Sequence, residues 1–242
     1  MISISAMCAI DGIFVGHAVG ADGIGAINIC VPIMMLATGL GLMMGAGCSV
    51  VASIHMAEKK LKAARINVMQ AWIFTSIVIL AMIIPVMLFP SATGRLLGSS
   101  EALLPLVREY MLGFMPGELF GVWCALLLFV IRLDGNPRLA MWCNVIAAAA
   151  NIVLDWLMIV HLGWGLAGAA VASTLSMMIG GLIAAWYILF AARQLRPIRL
   201  KWSRRSLLYS VRNIGYQCTI GISALMGEGT MAVLTLMGNY VF

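Results

Sequence analysis

Six apolar stretches run along this chain, at approximately residues 24–54, 66–90, 102–131, 139–160, 166–192 and 206–238, and a shorter one over 1–16 precedes them. A helix crosses ~30 Å of hydrocarbon in about 20 residues, so each of the six is long enough to span a bilayer. The composition leaves no soluble alternative. With 63% hydrophobic and 10% charged residues, nine acidic and fifteen basic side chains cannot clothe a water-facing surface for 242 residues. The fold class that follows is an all-α, polytopic membrane protein.

The gaps between the stretches carry the orientation. Lys59, Lys60, Lys62 and Arg65 fall in the second gap, Arg132 and Arg138 in the fourth, and Arg193, Arg196, Arg199, Lys201, Arg204 and Arg205 in the sixth. The intervening gaps hold little beyond Arg95 and Arg108. Alternate gaps are therefore basic, which places those three in the cytoplasm and makes the net charge of +6 topological. A nucleic-acid surface would need one continuous basic face, and whole spans separate these groups. The expected location is the inner (plasma) membrane, crossed many times.

Residues 193–205, with six basic side chains and Pro197, are too polar to insert and long enough to join two bundles. The expected organisation is a transmembrane lobe over 1–192, a cytoplasmic linker over 193–205, and over 206–242 the first helix of a second lobe. Only ten residues precede Asp11, about 15 Å of helix, so the first helix is expected to lack its cytoplasmic turns. No basic segment precedes the first apolar piece as in a signal peptide, since the first Lys or Arg is Lys59.

Against this background a few polar residues stand out. Asp11 lies five residues before Gly16, Asp155 six before His161, and Ser173 eight after Gly165. At 1.5 Å per residue all three sit roughly 8–12 Å below the outer interface. Asn151 is one turn from Asp155 on the same helical face. Three helices thus offer oxygen ligands at one level, as a hard cation or a shared proton requires. A bare carboxylate is expensive at such depth, so proton and cation would compete for the same site.

Several segments resemble the multidrug and toxic compound extrusion (MATE) transporters of the MOP superfamily. They are Asp11-Gly-Ile-Phe-Val-Gly16, Pro32 with Gly39-Leu-Gly41-Leu-Met-Met-Gly45-Ala-Gly47, Arg132-Leu-Asp-Gly135-Asn-Pro137-Arg138, Asn151-Ile-Val-Leu-Asp155 and Gly165-Leu-Ala-Gly168-Ala-Ala-Val-Ala-Ser173. Their order and spacing match over nearly the whole chain. The resemblance implies a six-helix lobe plus the opening helix of a second, with helices 8–12 missing, so that the chain is a truncated transporter. It implies a secondary antiporter that exports organic cations or drugs in exchange for Na⁺ or H⁺ by alternating access. No enzyme activity or organic cofactor is implied, and the one metal is Na⁺ at the coupling site. Carried over by position, that site is Asp11, Asn151, Asp155 and Ser173, where Ser stands for the family's usual Thr. The implied partners are a small-molecule substrate and the bilayer, with a monomer as the full-length form.

The chain departs from the family pattern in two places. Gly215-Tyr216-Gln217 replaces a usual Gly-x-Pro, and a glycine usual in the turn after the second helix is missing from Ile54-His-Met-Ala-Glu-Lys-Lys60. Two further acids are candidates with a structural alternative each. Glu228, within Gly227-Glu228-Gly229, is read either as an additional transport acid or as an interhelical bond; Glu118 is read the same way, its alternative being a bond to carbonyls freed at Pro116. Pro32, Pro85, Pro105 and Pro116 are placed to kink their helices. The glycine pairs Gly12/Gly16, Gly41/Gly45 and Gly117/Gly121 read as close helix contacts. Gly163-Trp-Gly165-Leu-Ala-Gly168 fits a dinucleotide fingerprint only in letters, because no strand precedes it.

Six cysteines lie in apolar spans without a C-x-x-C pair and read as small buried hydrophobes. His17, His55 and His161 sit at span ends on different sides, too scattered for one metal. A membrane-embedded enzyme finds no nucleophile elbow or metal spacing. Two alternatives remain, a lipid-linked oligosaccharide flippase of the same superfamily and a non-transporting fragment. A flippase would need basic residues in its cavity, whereas here nearly all lie in the cytoplasmic gaps.

Overall fold

The computed structural model describes residues 14–17, 19–196 and 204–241, with side chains described from 210 to 240 in the last of these. Asp11, Cys8, Gly12 and most of the linker lie outside the described residues. After a helical turn at 14–17 (α1) come α2 (Ala21–Ala57), α3 (Leu61–Leu88), α4 (Pro90–Leu96), α5 (Leu104–Leu133), α6 (Pro137–Asp155), α7 (Gly165–Trp186) and α8 (Arg204–Val241). α6 runs on through a wide π-type turn, Trp156–His161, and α7 through another, Tyr187–Ala191. Their marks are the i→i+5 bonds Leu162 N to Leu157 O and Ala192 N to Tyr187 O, 3.0 and 2.8 Å. Six helices are long and apolar enough to cross a membrane, within a few residues of the stretches read from the sequence. α4 was not foreseen; Pro90 starts it in the first turn, where a missing N–H costs nothing.

These helices are apolar on their outer surfaces as well as inside. Ile77, Val153, Phe190 and Val211 are each more than half exposed, an arrangement stable where the surroundings are lipid. Without a hydrophobic drive between helices, close packing holds them together. A Cβ on Gly45 would stand 3.1 Å from the Cα of Leu126, and one on Gly117 2.7 Å from the Cα of Thr174, which seats α2 on α5 and α5 on α7. On the α2–α8 seam a Cβ on Gly47 or Gly221 would collide with the carbonyls of Gln217 or Met43.

Pro32, Pro85 and Pro116 lie inside helices. Pro105 does not kink α5, because it occupies the first turn, where no intrahelical donor is lost.

The basic turns gather at one end of the molecule, hereafter the basic face. Arg65 Nε donates to Gln194 O at 2.6 Å, tying the start of α3 to the chain beyond α7. In the α2–α3 turn, Lys59 takes φ 60°, a left-handed conformation that favours glycine. A lysine carries strain of order 1 kcal/mol there. Lys60 Nζ lies 2.9 Å from the Glu58 carboxylate and holds that carboxyl below its ordinary range.

Candidate functional site

α6 buries only four side chains: Ala140, Cys143, Asn151 and Asp155. Two of the four are polar, so the stripe that α6 turns inward becomes hydrophilic just where it should be most apolar. Asn151 and Asp155 are both fully buried, and Ser173 of α7 is nearly so. Small residues let the two helices approach: a Cβ on Gly180 would stand 3.1 Å from the Ala147 Cβ, and one on Gly168 3.1 Å from the Met158 carbonyl oxygen. Across this seam Asn151 Nδ2 donates to Ser173 Oγ at 3.4 Å.

That bond is long, and Asn151 Oδ1, buried, has no hydrogen-bond partner among the described residues. The group therefore holds an amide oxygen, a hydroxyl and, one turn along α6, a carboxylate. Oxygen donors of this kind suit a hard cation or a proton. No cluster of three or more His, Cys, Asp or Glu side chains occurs among the described residues, so nothing there suggests a transition metal. The π-type turn begins directly after Asp155. Such a turn changes helical register, and it often marks a functional site.

Ser173 and its neighbour Thr174 divide their tasks. Thr174 Oγ1 donates to the carbonyls of Gly113 and Phe114 on α5, at 2.7 and 3.2 Å, one turn before Pro116. The carbonyl that Pro116 leaves without its helical donor is that of Leu112, four residues back. Glu118 is buried and makes no hydrogen bond to a described residue, so the expected bond to a freed carbonyl is not found among the described residues. Glu228 is half-buried on the α2–α8 seam, its Cβ 3.0 Å from where a Cβ on Gly39 would stand. It too makes no hydrogen bond to a described residue, and it belongs to a different seam from Asn151. Asp11 lies outside the described residues. The chain just after it packs toward α7, with Val19 Cγ2 3.6 Å from the Cβ position of Gly165 and Val15 fully buried.

Two polar groups escaped sequence reasoning. Asp134, read only as part of a motif, is buried at the basic face and accepts four bonds. Its Oδ2 takes the Tyr187 hydroxyl and the Arg193 N–H at 2.9 and 2.8 Å, and its Oδ1 the N–H groups of Gln194 and Leu195 at 2.8 and 2.9 Å. An Asp just past a helix end was the available signal. The second group joins α3 to α8. Gln70 Nε2 donates to Ser210 Oγ at 2.7 Å, and Asn213 Nδ2 donates to Gln70 Oε1 at 2.9 Å and to Asn67 Oδ1. Fully buried Gln217 donates to Asn67 Oδ1 at 3.4 Å. The spacing of Ser210, Asn213 and Gln217 puts them on one helical face, a signal legible in the letters.

Comparison with known proteins places this arrangement. Residues 1–157 match the MatE family. The chain is 23% identical over 205 residues to an FAD transporter of Shewanella oneidensis, covering 80% of this chain and 45% of that one. It is 24% identical over 243 residues to the probable multidrug resistance protein YpnP of Bacillus subtilis, covering 96% and 52%. The chain thus spans about half the length of these curated relatives. Solved multidrug resistance MATE family transporters of the MOP superfamily superpose in the inward-facing conformation with a TM-score of 0.82 and in the outward-facing one with 0.81, at 23% identity. The coverage is 95% and 96% of this chain and 51% of each of those. The fold matches both conformations equally well.

Proposed function

Because this chain belongs to the MatE family, a family of membrane transporters and not of enzymes, we propose that it is the ion-coupling part of a secondary antiporter. Residues 1–192 form one lobe, 193–205 the linker and 206–242 the first helix of a second lobe. The basic face is cytoplasmic in the plasma membrane. Asp11, Asn151, Asp155 and Ser173 bind Na⁺ or H⁺, and the exported substrate is an organic cation or drug. Glu228 and Glu118 are additional acids on the neighbouring seams.

One observation carries the reading: Asn151 and Ser173 meet across α6 and α7 beside a fully buried Asp155, leaving a buried amide oxygen without a described partner. Burying such a group costs about 1–3 kcal/mol, which ion or proton binding would offset. Equal likeness to inward- and outward-facing structures supports a lobe that moves as one body around the site, as alternating access requires.

The test is transport in everted vesicles from cells expressing the gene. An imposed Na⁺ or proton gradient should drive a cationic dye, and Asp155→Asn should abolish this at an unchanged level of protein in the membrane. Efflux that survives the substitution rejects the site. FAD is offered to the same vesicles as the competing substrate class, because one relative is an FAD transporter; movement of FAD without dye would overturn the cationic specificity and leave the coupling site standing.

A further inference from the structure

The face opposite the basic turns is poor in cations, yet the two arginines it has among the described residues line one groove. α3 ends at Leu88, the chain turns at Phe89, and Pro90 starts the short α4. α4 lies tightly on the first turns of α5: a Cβ on Gly94 would stand 2.9 Å from Leu104 Cδ1 and 3.2 Å from Val107 Cγ1. That seating brings Arg95 of α4 and Arg108 of α5 to the same opening, a groove of about 420 Å³ that also includes Ser91.

Charge and apolarity are divided within it. Arg95 is engaged by Glu101, Nε to Oε1 at 3.0 Å and Nη2 to Oε2 at 3.3 Å. Arg108 is exposed and makes no ion pair with a described residue, so the groove keeps a net positive charge. Two of the five N–H donors on Arg95 serve Glu101, which leaves three free to point elsewhere. Leu88 and Phe89, which also line the groove, are each 66% exposed, and Leu96 beside it is 72% exposed. In water such a cluster would be an unfavourable apolar patch. At the end of a membrane-spanning helix it lies where acyl chains begin.

We propose that this groove binds the phosphate of an anionic glycerophospholipid, with Arg108 and the free donors of Arg95 on the phosphate, the Ser91 hydroxyl beside it, and the acyl chains along Leu88 and Phe89. Arginine forks match phosphate oxygens in geometry as well as charge. Basic pockets between membrane helices on the cytoplasmic side take lipid headgroups for this reason, and the same chemistry is available in a groove on the opposite face. The lipid would pin α4 against the first turn of α5. The inference is independent of the coupling reading, since it uses neither α6 nor α7.

Native mass spectrometry of the whole chain, released from nanodiscs of equal phosphatidylglycerol and phosphatidylcholine, tests it. The wild type should retain phosphatidylglycerol preferentially. Arg108→Gln should lower that preference roughly fivefold, the contribution of one basic group at a membrane surface, and Arg108→Lys should keep most of it. Arg138→Gln, at the basic face, should leave it unchanged. A preference intact in the Arg95→Gln/Arg108→Gln double variant would overturn the proposal. So would displacement of the lipid by millimolar inorganic phosphate, which would mark a site for free anions.

Discussion

Asp134 and Asp155 are both buried and stand 21 residues apart, the first just before α6 and the second at its end. Around Asp134 every direction is used: a phenol and three backbone N–H groups converge on its two oxygens, and the chain leaving α7 is fixed by them. Around Asn151 and Ser173, beside Asp155, the two helices share a long bond of 3.4 Å, and the Asn151 amide oxygen has no partner among the described residues. A saturated acceptor holds a chain in place. An amide oxygen with acceptor capacity to spare is suited to hold something that comes and goes.

Breaking the comparison at its open end should have the largest effect. Asp155→Asn or Asn151→Ala removes an oxygen from the proposed cation shell. With hydrogen bonds to charged groups contributing about 1.5–3 kcal/mol each, the expected loss is ~10- to 100-fold in the Na⁺ or proton affinity that drives transport. Flux against ion concentration measures it, and protein level in the membrane should not change. At the closed end Asp134→Ala should act on stability instead. Four donors lose their acceptor, and with some regaining water the cost is about 2–3 kcal/mol. Thermal unfolding in detergent and faster proteolysis after Ala192 would report it, with ion selectivity preserved.

Adjacent residues on α7 sharpen the distinction further. Ser173→Ala should weaken ion affinity by about fivefold, one neutral ligand's share, and leave unfolding nearly unmoved. Thr174→Val should do the reverse, lowering stability by about 0.6 kcal/mol, a typical interhelical bond in a membrane, while ion affinity stays. The smallest effect is expected at Lys59: Lys59→Gly relieves the left-handed backbone and should raise stability by up to about 1 kcal/mol without touching transport.

Much of this was legible in the letters because lipid simplifies the code. Six spans fell out of length and apolarity alone, and their ends were found within a few residues. Asn151, Asp155 and Ser173 stood out since polar side chains are costly at that depth, and counting residues from the span ends put them at one level. The structure brings Asn151 and Ser173 together and buries Asp155. Asp11 lies outside the described residues, so its place in the group rests on the resemblance. Hydropathy could not show α4, seven residues long, or the π-type turns, which change register without changing composition. Nor could it show that Thr174, brought close by the packing of Gly117 on α7, would bond to the α5 backbone just before Pro116. Asp134 was hidden for a different reason: its partners lie about 60 residues away, in a segment that reads as a mere linker.

Ion binding by the purified chain tests the central claim most directly. Titrated with NaCl against choline chloride at constant ionic strength, and over a pH series, the wild type should take up Na⁺ or release a proton at one saturable site. Asp155→Asn and Asn151→Ala should each abolish or strongly weaken that signal, while Asp134→Asn keeps it. A signal unchanged by Asp155→Asn and Asn151→Ala would contradict the account.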